Sequence, residues 1–267
     1  MLGCVSRQRQ MARVMDGNAH LATDLVTGVA GHCSDFPSGY ETAPHRHARC
    51  QFSYASAGVM MVTSDRGVWV VPPDRGLWVP AGMVHDVRMV SRVSTMTVWI
   101  DQAPAMRMPN RCQVFNVSPL MRQLLEETVN FTAGAYADAR GRLITALLLN
   151  ELEVLPRLPF RLPFPKNSKL ATLCQNFLRN PTPHATIDDW SAALNISRRT
   201  FTRLFRQETG LSFSNWRQHA CLLAALPRLA AGESITSIAI DVGYNSPAAF
   251  ATMFKRLQGV PPSRCLS

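Results

Sequence analysis

Residues 234–262 read S-I-T-S-I-A-I-D-V-G-Y-N-S-P-A-A-F-A-T-M-F-K-R-L-Q-G-V-P-P, and their spacing decides the fold of the C-terminal half. Ile235, Ile238, Ala239 and Val242 recur at i, i+3, i+4 and i+7, the apolar stripe of a short helix, with Ser234 ahead of it as N-cap. Gly243 ends that helix. After a turn through Tyr244 and Asn245, Ser246 stands as a second N-cap and Pro247 at the first helical position, where a missing N–H costs nothing. This helix carries Phe250, Met253 and Phe254 inward and stops at Gly259, ahead of Pro261 and Pro262. Two short helices joined by a tight glycine-containing turn form a helix-turn-helix, whose second helix is shaped for the major groove.

The same unit occurs once before. Ile187, Trp190, Ser191 and Leu194 lie 48 positions upstream of Ile235, Ile238, Ala239 and Val242. Past the turn the offset is 49: Ser197 matches Ser246, Phe201 matches Phe250, Leu204 and Phe205 match Met253 and Phe254, and Gly210 matches Gly259. The one-residue change falls in the turn, where length variation disturbs least. Asn195 replaces the turn glycine, and Asn is the next-best residue for a left-handed position. The second copy, I-A-x-x-x-G-Y-x-S-x-x-x-F-x-x-x-F-K-R-x-x-G-V-x-P-S-x, resembles the AraC/XylS family of bacterial transcription regulators. In that family two helix-turn-helices are joined by a linking helix, and the resemblance spans residues 166–267.

Charge is distributed accordingly. The 267-residue chain has a formal net charge of +10. Residues 166–267 hold 12 Lys/Arg against 5 Asp/Glu, whereas residues 1–165 hold 16 against 13. The basic excess thus sits on the helix-turn-helix half, as phosphate binding requires. Seven cysteines without regular spacing suit reduced thiols in a cytoplasmic protein better than a disulfide framework. No apolar run is long enough for a membrane helix. The first 20 residues lack the apolar core of a secretory signal; they read as a disordered extension, or as an upstream start with Met11 or Met15 the true one.

Residues 21–105 read as strands and turns. Runs at 51–55, 59–63, 68–71, 77–79, 84–89 and 95–100 are separated by turn signals such as S-D-R-G at 64–67 and P-P-D-R-G at 72–76, a spacing that predicts a small barrel or jelly roll. Gly39, His45, His47, Gln51 and Gly58 reproduce the spacing of the first cupin motif, and Pro80-Ala-Gly82-Met-Val-His85 resembles the second. The resemblance implies a double-sheet barrel with the two segments meeting inside.

His45, His47 and Gln51 share parity and face one way in a strand, and His85 approaches from a neighbouring strand. Three imidazoles and a side-chain oxygen suit a divalent first-row metal. Metal-dependent cupins usually carry Glu at the Gln51 position, and neutral Gln is the weaker ligand. The alternative is that these histidines line a polar pocket for an organic effector. Cys50 has outward parity; Arg49 has inward parity and is placed to meet an anionic ligand.

From Ser118 to Leu155 the pattern is helical. Leu120, Leu124, Leu125 and Val129 form one face, and Leu143, Leu147, Leu148, Leu152 and Val154 a second apolar segment. A leucine-rich pair beside a sensor barrel resembles the family's dimerisation element; the alternative is that both helices pack on the barrel. The stretch L-P-F-R-L-P-F-P at 158–165 is too rich in proline for a regular helix and reads as an extended linker. The expected division is therefore an extension at 1–20, a barrel at 21–105, a helical segment at 106–157, a linker at 158–166, and a DNA-binding domain at 167–267 with helix-turn-helices at 187–209 and 235–258.

Within that last domain, Ser168 is expected to cap a bracing helix through Leu178, and Thr186 with Asp189 to open the first unit as a capping box. With Phe201, Leu204 and Phe205 buried, the first recognition helix exposes Arg198, Arg199, Thr202, Arg203 and Arg206. Arginine reads guanine bidentately or holds phosphate. The resemblance puts the base-contacting positions on Arg199, Thr202 and Arg203, with Arg203 foremost. The corresponding positions in the second helix are Pro247, Ala248, Ala251 and Thr252, with Lys255 and Arg256 near the end and the capping Ser246 a further candidate for DNA contact; these offer methyl and phosphate contacts but few base-edge hydrogen bonds. Ser212 caps a linking helix, which Pro227 is expected to interrupt. Cys221 stands where the family is usually basic, and Cys265 where it usually has an aromatic.

The expected whole is a multidomain regulator: an all-β cupin barrel with flanking helices, then an all-α domain of two helix-turn-helices. Its expected partners are double-stranded operator DNA, a small-molecule effector or divalent metal, a second copy of the chain and, for an activator, RNA polymerase. The alternative is a metal-dependent cupin enzyme, an oxygenase or isomerase carrying a DNA-binding tail, with Glu41 and Asp86 as the nearest carboxylates. Gln51 in place of Glu argues against it.

Overall fold

The computed structural model describes residues 28–131, 138–158, 160–179, 181, 185–258 and 261–264. The expected extension over residues 1–20, the stop at Gly259 and the oddity at Cys265 lie outside them. The N-terminal part is a two-sheet antiparallel jelly roll. Its strands are β1 (Val29–Phe36), β2 (Cys50–Ala57), β3 (Met60–Ser64), β4 (Gly67–Val71), β5 (Arg75–Val79), β6 (Asp86–Met89), β7 (Val93–Ile100) and β8 (Gln113–Asn116), with the short β9 (Arg157–Leu158) and β10 (Arg161–Pro163) following two helices. One sheet runs β1-β7-β2-β5-β8-β9 and the other β10-β4-β3-β6.

Strand alternation gives the larger sheet two different faces. Ser53 pairs with Thr97 and Gln51 with Trp99 across β2 and β7, while the intervening Phe52 pairs with Val98 and Tyr54 with Met96. The first set points into the barrel. The second set, with Cys50, Ile100 and Phe115, joins a buried cluster with Leu124, Leu125, Leu148 and Leu152 from α1 (Pro119–Val129) and α2 (Ala139–Val154). Gly76 is required in β5, because a Cβ there would lie 2.2 Å from the Phe52 ring. Asp74 ties helix to sheet, accepting from Tyr54 at 2.6 Å and Arg122 at 2.7 Å.

The leucine-rich helices are divided between barrel cover and surface. Leu124, Leu125, Leu148 and Leu152 pack on the barrel, whereas Leu120, Leu143, Leu147 and Val154 are exposed. Cys50 points away from the barrel interior as its parity requires, yet it is buried beneath these helices.

The proline-rich stretch is extended, but it is no free linker. Leu158 pairs with Val114, and Arg161, Leu162 and Pro163 pair with Trp69, Val68 and Gly67. Leu162 and Phe164 are buried, which supplies the reason: alternating apolar residues complete the sheet at an edge, where Pro163 needs no ladder N–H. The barrel thus continues past residue 105, through β8 and β10.

The C-terminal part comprises α3 (Ser168–Arg179), α4 (Ile187–Ala193), α5 (Arg198–Thr209), α6 (Phe213–Ala230), α7 (Ile235–Asp241), α8 (Pro247–Gln258) and a short 3-10 turn at Pro262–Arg264. Capping follows the sequence closely. Thr186 and Asp189 form a reciprocal capping box, and Ser197, Ser212 and Ser234 each accept an N–H of their own first turn. Asn195 is left-handed at φ 53° and Gly243 at φ 86°. Two expectations need correction. The side chain that caps α3 belongs to Asn167, which accepts from Leu170 N at 3.1 Å, so Ser168 is already helical. Pro227 does not interrupt α6, which is continuous to Ala230. A proline removes one hydrogen bond, and burial of Leu222, Leu223 and Leu226 holds the helix through it.

Trp190 organises the first unit, with the rings of Phe177, Phe205, Phe213 and Trp216 between 4.9 and 6.2 Å from it. The second unit is lighter, with Phe250 beside Phe254 at 5.8 Å and Tyr244 at 5.6 Å. The two parts of the chain share one core, which runs from Val62, Leu77 and Met89 through Phe160 and Leu162 to Leu170 and Trp216. Trp216 donates its indole N–H to Pro163 O at 2.8 Å, and Glu208 accepts from Lys166 N at 2.7 Å.

Candidate nucleic-acid interface and effector pocket

In α5 the inward positions are spent on Phe201 and Phe205, fully buried, and the outward ones on Arg198, Arg199, Thr202, Arg203 and Arg206, all exposed. Arg198 forms an ion pair with Asp188 at 3.2 Å, which ties it back to α4. Among the described residues Arg199, Arg203 and Arg206 have no ion-pair or hydrogen-bonding partner, so three guanidinium groups project freely. The hydroxyl of Thr202 donates to Arg198 O at 2.9 Å, which occupies its proton and leaves its methyl for an outside contact.

In α8 the corresponding surface is small and nearly uncharged. Ala248, Thr252 and Lys255 are exposed, and Ser246, Pro247 and Ala251 are half-buried. Ser246 accepts from Ala249 N at 3.2 Å, and Thr252 donates to Ala248 O at 2.9 Å. Arg256 donates to Gln218 on α6 at 2.7 Å. The two turns of the linking region are held by Arg228, which donates to Glu233 at 2.7 Å and also to Asp241.

The barrel encloses a cavity of about 350 Å³ between the two sheets. His45, His47, Gln51 and His85 all line it, so the two cupin-like segments do meet inside. They meet by backbone pairing, with His45 N donating to His85 O and His85 N to His45 O at 2.9 Å each. The ring centroids lie 4.4 Å apart for His45 and His85, 5.1 Å for His47 and His85, and 6.3 Å for His45 and His47. Each Nδ1 faces a backbone carbonyl: Ala43 O for His45, Arg49 O for His47 and Met83 O for His85. Burial pushes His85 down to about 4 and lowers His47 as well, so both rings are neutral at neutral pH.

Two residues join the site that the sequence reading left out. Trp99 lies edge-on to His47 at 4.8 Å and donates to His32 Nδ1 at 3.3 Å; burial pushes His32 down to about 4. Trp99 was legible through its shared parity with Thr95 and Thr97. His32 was not, because β1, V-A-G-H-C-S-D-F, lacks the bulky branched run that marks a strand. From His47 a polar chain continues through Gln51 and Ser53 to Thr97, each link 3.0 Å. Arg49 stays out of the cavity: it pairs with Asp101 at 2.9 Å, and its departure from inward parity follows from its place ahead of β2, where strand alternation does not hold.

The residues do not fit a metal. Among the described residues no set of three or more His, Cys, Asp or Glu side chains is arranged to hold one, and the amide of Gln51 is engaged at both ends by His47 and Ser53. Of the two carboxylates near the histidines, Glu41 lines the cavity but pairs with Arg88 at 3.3 Å, and Asp86 is not among its lining residues. No described helix is long and apolar enough to cross a membrane.

Known proteins share both halves. Residues 190–267 match the family model described as a helix-turn-helix domain, and residues 33–136 the one described as an AraC-like ligand binding domain. The chain is 31% identical over 227 residues to the HTH-type transcriptional regulator NimR of Escherichia coli, covering 85% of this chain and 83% of NimR. It is 33% identical over 103 residues to the HTH-type transcriptional regulator RipA of Corynebacterium glutamicum, covering 38% of this chain and 30% of RipA. Among solved structures, ToxT from Vibrio cholerae aligns over 90% of this chain and 98% of its own at 12% identity and a TM-score of 0.38. Paired helix-turn-helices on a linking helix, a jelly roll with an internal cavity, and a relative matched over most of both chains lead to one conclusion: the chain belongs to the AraC/XylS family of transcription regulators with an N-terminal ligand-binding domain.

Proposed function

We propose that this regulator reads its operator chiefly through Arg199, Arg203 and Arg206 on α5, that α8 adds affinity with little selectivity, and that a small organic effector in the barrel cavity controls binding. The supporting observation is the contrast between the recognition helices: α5 presents three unpartnered guanidinium groups, and α8 presents alanines, a back-bonded threonine and Lys255. Guanidinium groups give bidentate contacts to guanine edges, whereas methyl groups meet only the thymine methyl. Arg198, held by Asp188, serves the phosphate backbone.

The functional division we adopt is a sensor barrel at 21–105 that later strands complete, a helical segment at 106–157, a connection at 158–166 that doubles as sheet strands, and a DNA-binding domain at 167–267. The protein acts as a cytoplasmic homodimer, and the exposed Leu143, Leu147 and Val154 of α2 form the contact between copies. We read it as a regulator rather than an enzyme: Gln51 stands where metal-dependent cupins usually carry Glu, and among the described residues the carboxylate that lines the cavity, Glu41, is paired with Arg88. An activating role adds RNA polymerase as a partner. Effector control runs through β10: a ligand that binds two arrangements of the barrel unequally shifts the Pro163–Trp216 contact and with it α6.

The test is fluorescence anisotropy of the full chain on its own upstream intergenic DNA over a salt series, with random duplex as competitor. Binding that survives competitor, weakens steeply with salt and is lost in Arg203→Ala supports the reading. Weak binding displaced equally by any duplex refutes it.

A further inference from the structure

The hydrogen-bond inventory of the cavity constrains what it holds. A backbone carbonyl only accepts, so each imidazole Nδ1 that faces one carries the proton. His45 Nδ1 lies 2.9 Å from Ala43 O and His85 Nδ1 2.9 Å from Met83 O. When the only proton of a ring is on Nδ1, its Nε2 is a bare acceptor. Among the described residues neither Nε2 has a partner, and both rings line the cavity with their centroids 4.4 Å apart. His47 differs. Its Nε2 lies 3.0 Å from the Gln51 side chain, and with Nδ1–H given to Arg49 O the contact is satisfied when the amide turns its NH2 toward the ring. Amide orientation is assigned from such networks. The Gln51 carbonyl then accepts from Ser53, and Ser53 from Thr97. That chain is complete in itself and leaves the lone pairs of His45 and His85 as a pair of unmet acceptors, apart from the Nε2–H donor of His32, whose Nδ1 accepts from Trp99.

Charge points the same way. Among the described residues no Lys or Arg lines the cavity, and the one carboxylate that does is Glu41, which Arg88 pairs from outside the lining at 3.3 Å. Most of the remaining wall is apolar or aromatic, with Met60, Val62, Leu77, Met89 and Trp99, and it also carries uncharged polar side chains such as Thr42 and Thr95. Among the described residues an anion would meet neutral donors at most, beside two lone pairs and a carboxylate, with no fixed cation to offset its desolvation.

We propose that the cavity selects a small, apolar-bodied effector that is neutral or cationic and carries N–H donors, which meet Nε2 of His45 and His85, and that it rejects carboxylates. This rests on the cavity being the effector site. Isothermal calorimetry of the full chain, with and without EDTA, tests it with four probes of nearly equal shape: benzamide, benzamidine, N,N-dimethylbenzamide and benzoate. Benzamide or benzamidine is expected to bind at least about tenfold tighter than benzoate and than the donor-less dimethyl amide. His85→Phe, checked for folding by circular dichroism, loses that preference. Nitrogen-15 NMR of the imidazoles is expected to show the Nδ1–H form at His45 and His85. Benzoate binding as tightly as benzamide, or an Nε2–H form at both rings, overturns the proposal and leaves the effector site standing. Benzamide binding that EDTA abolishes overturns it in favour of a metal. No binding by any of the four removes the effector-site reading and the proposal together.

Discussion

The two helix-turn-helix units are built on one apolar template and carry opposite surfaces. Phe201 and Phe250 are both fully buried, as are Phe205 and Phe254, and a left-handed residue, Asn195 or Gly243, closes each turn. Outside that template the surfaces diverge: Arg199, Arg203 and Arg206 in α5 correspond to Ala248, Thr252 and Lys255 in α8, so that of three cations only the last is kept. Repetition is confined to positions that folding constrains, and divergence to positions that DNA alone constrains. The units also differ in how they are anchored. The first is embedded around Trp190 and reaches the barrel through Trp216 and Pro163. The second packs on α6 through Ile238, Phe250 and Phe254 in the same core, reinforced by Arg228 and its two carboxylates.

The largest test of this comparison removes the shared template. Phe201→Ala and Phe250→Ala are each expected to cost about 3–5 kcal/mol of stability, read by denaturant unfolding. The cost is higher for Phe201, which contacts Phe205 and Phe213 rings at 5.5 Å each; a larger loss at Phe250 would break the assignment of the heavier core to the first unit. Next comes the surface. Arg203→Ala is expected to cost about 1–3 kcal/mol in operator binding and to relax selectivity at one base pair, whereas Thr252→Ala in the matching place costs under about 1 kcal/mol. Equal losses in a competition assay would contradict the division of labour.

Lys255→Ala is expected to weaken all duplexes alike and to lower the slope of log K against log salt by about 1. An effect confined to the operator would make Lys255 a base reader. Smallest is an acid response that distinguishes the two units. Hydrogen bonds from Thr186 hold the Asp189 carboxyl below its ordinary value. A carboxylate depressed in the folded state adds stability above its unfolded pKa, and this is lost as pH falls through its folded value. Amide exchange should therefore show α4 fraying in acid before α7, whose cap is the uncharged Ser234, and Asp189→Asn should abolish the difference.

These contrasts were readable to different depths. The helix-turn-helix pair was legible down to single caps, because its determinants are local: a serine ahead of a helix or a left-handed asparagine acts on its own turn. The cupin-like segments were legible as a meeting place of His45, His47, Gln51 and His85, since motif spacing and parity survive in the sequence. His32 and β1 were missed because that strand is recognised only by its pairing with β7. Arg49 was misread because its orientation depends on Asp101, 52 positions away.

By itself the sequence determined the repeat, the turn residues, the basic bias of the C-terminal half and the histidines destined for one cavity, all set by short-range periodicity and capping chemistry. Only the tertiary structure decided that the proline-rich stretch is a sheet strand, that α6 passes through Pro227 without a break, and that Leu148 and Leu152 are covered while Leu143 and Leu147 are not. Each of those outcomes depends on which distant surface a segment meets, and burial against a partner far along the chain outweighs local propensity.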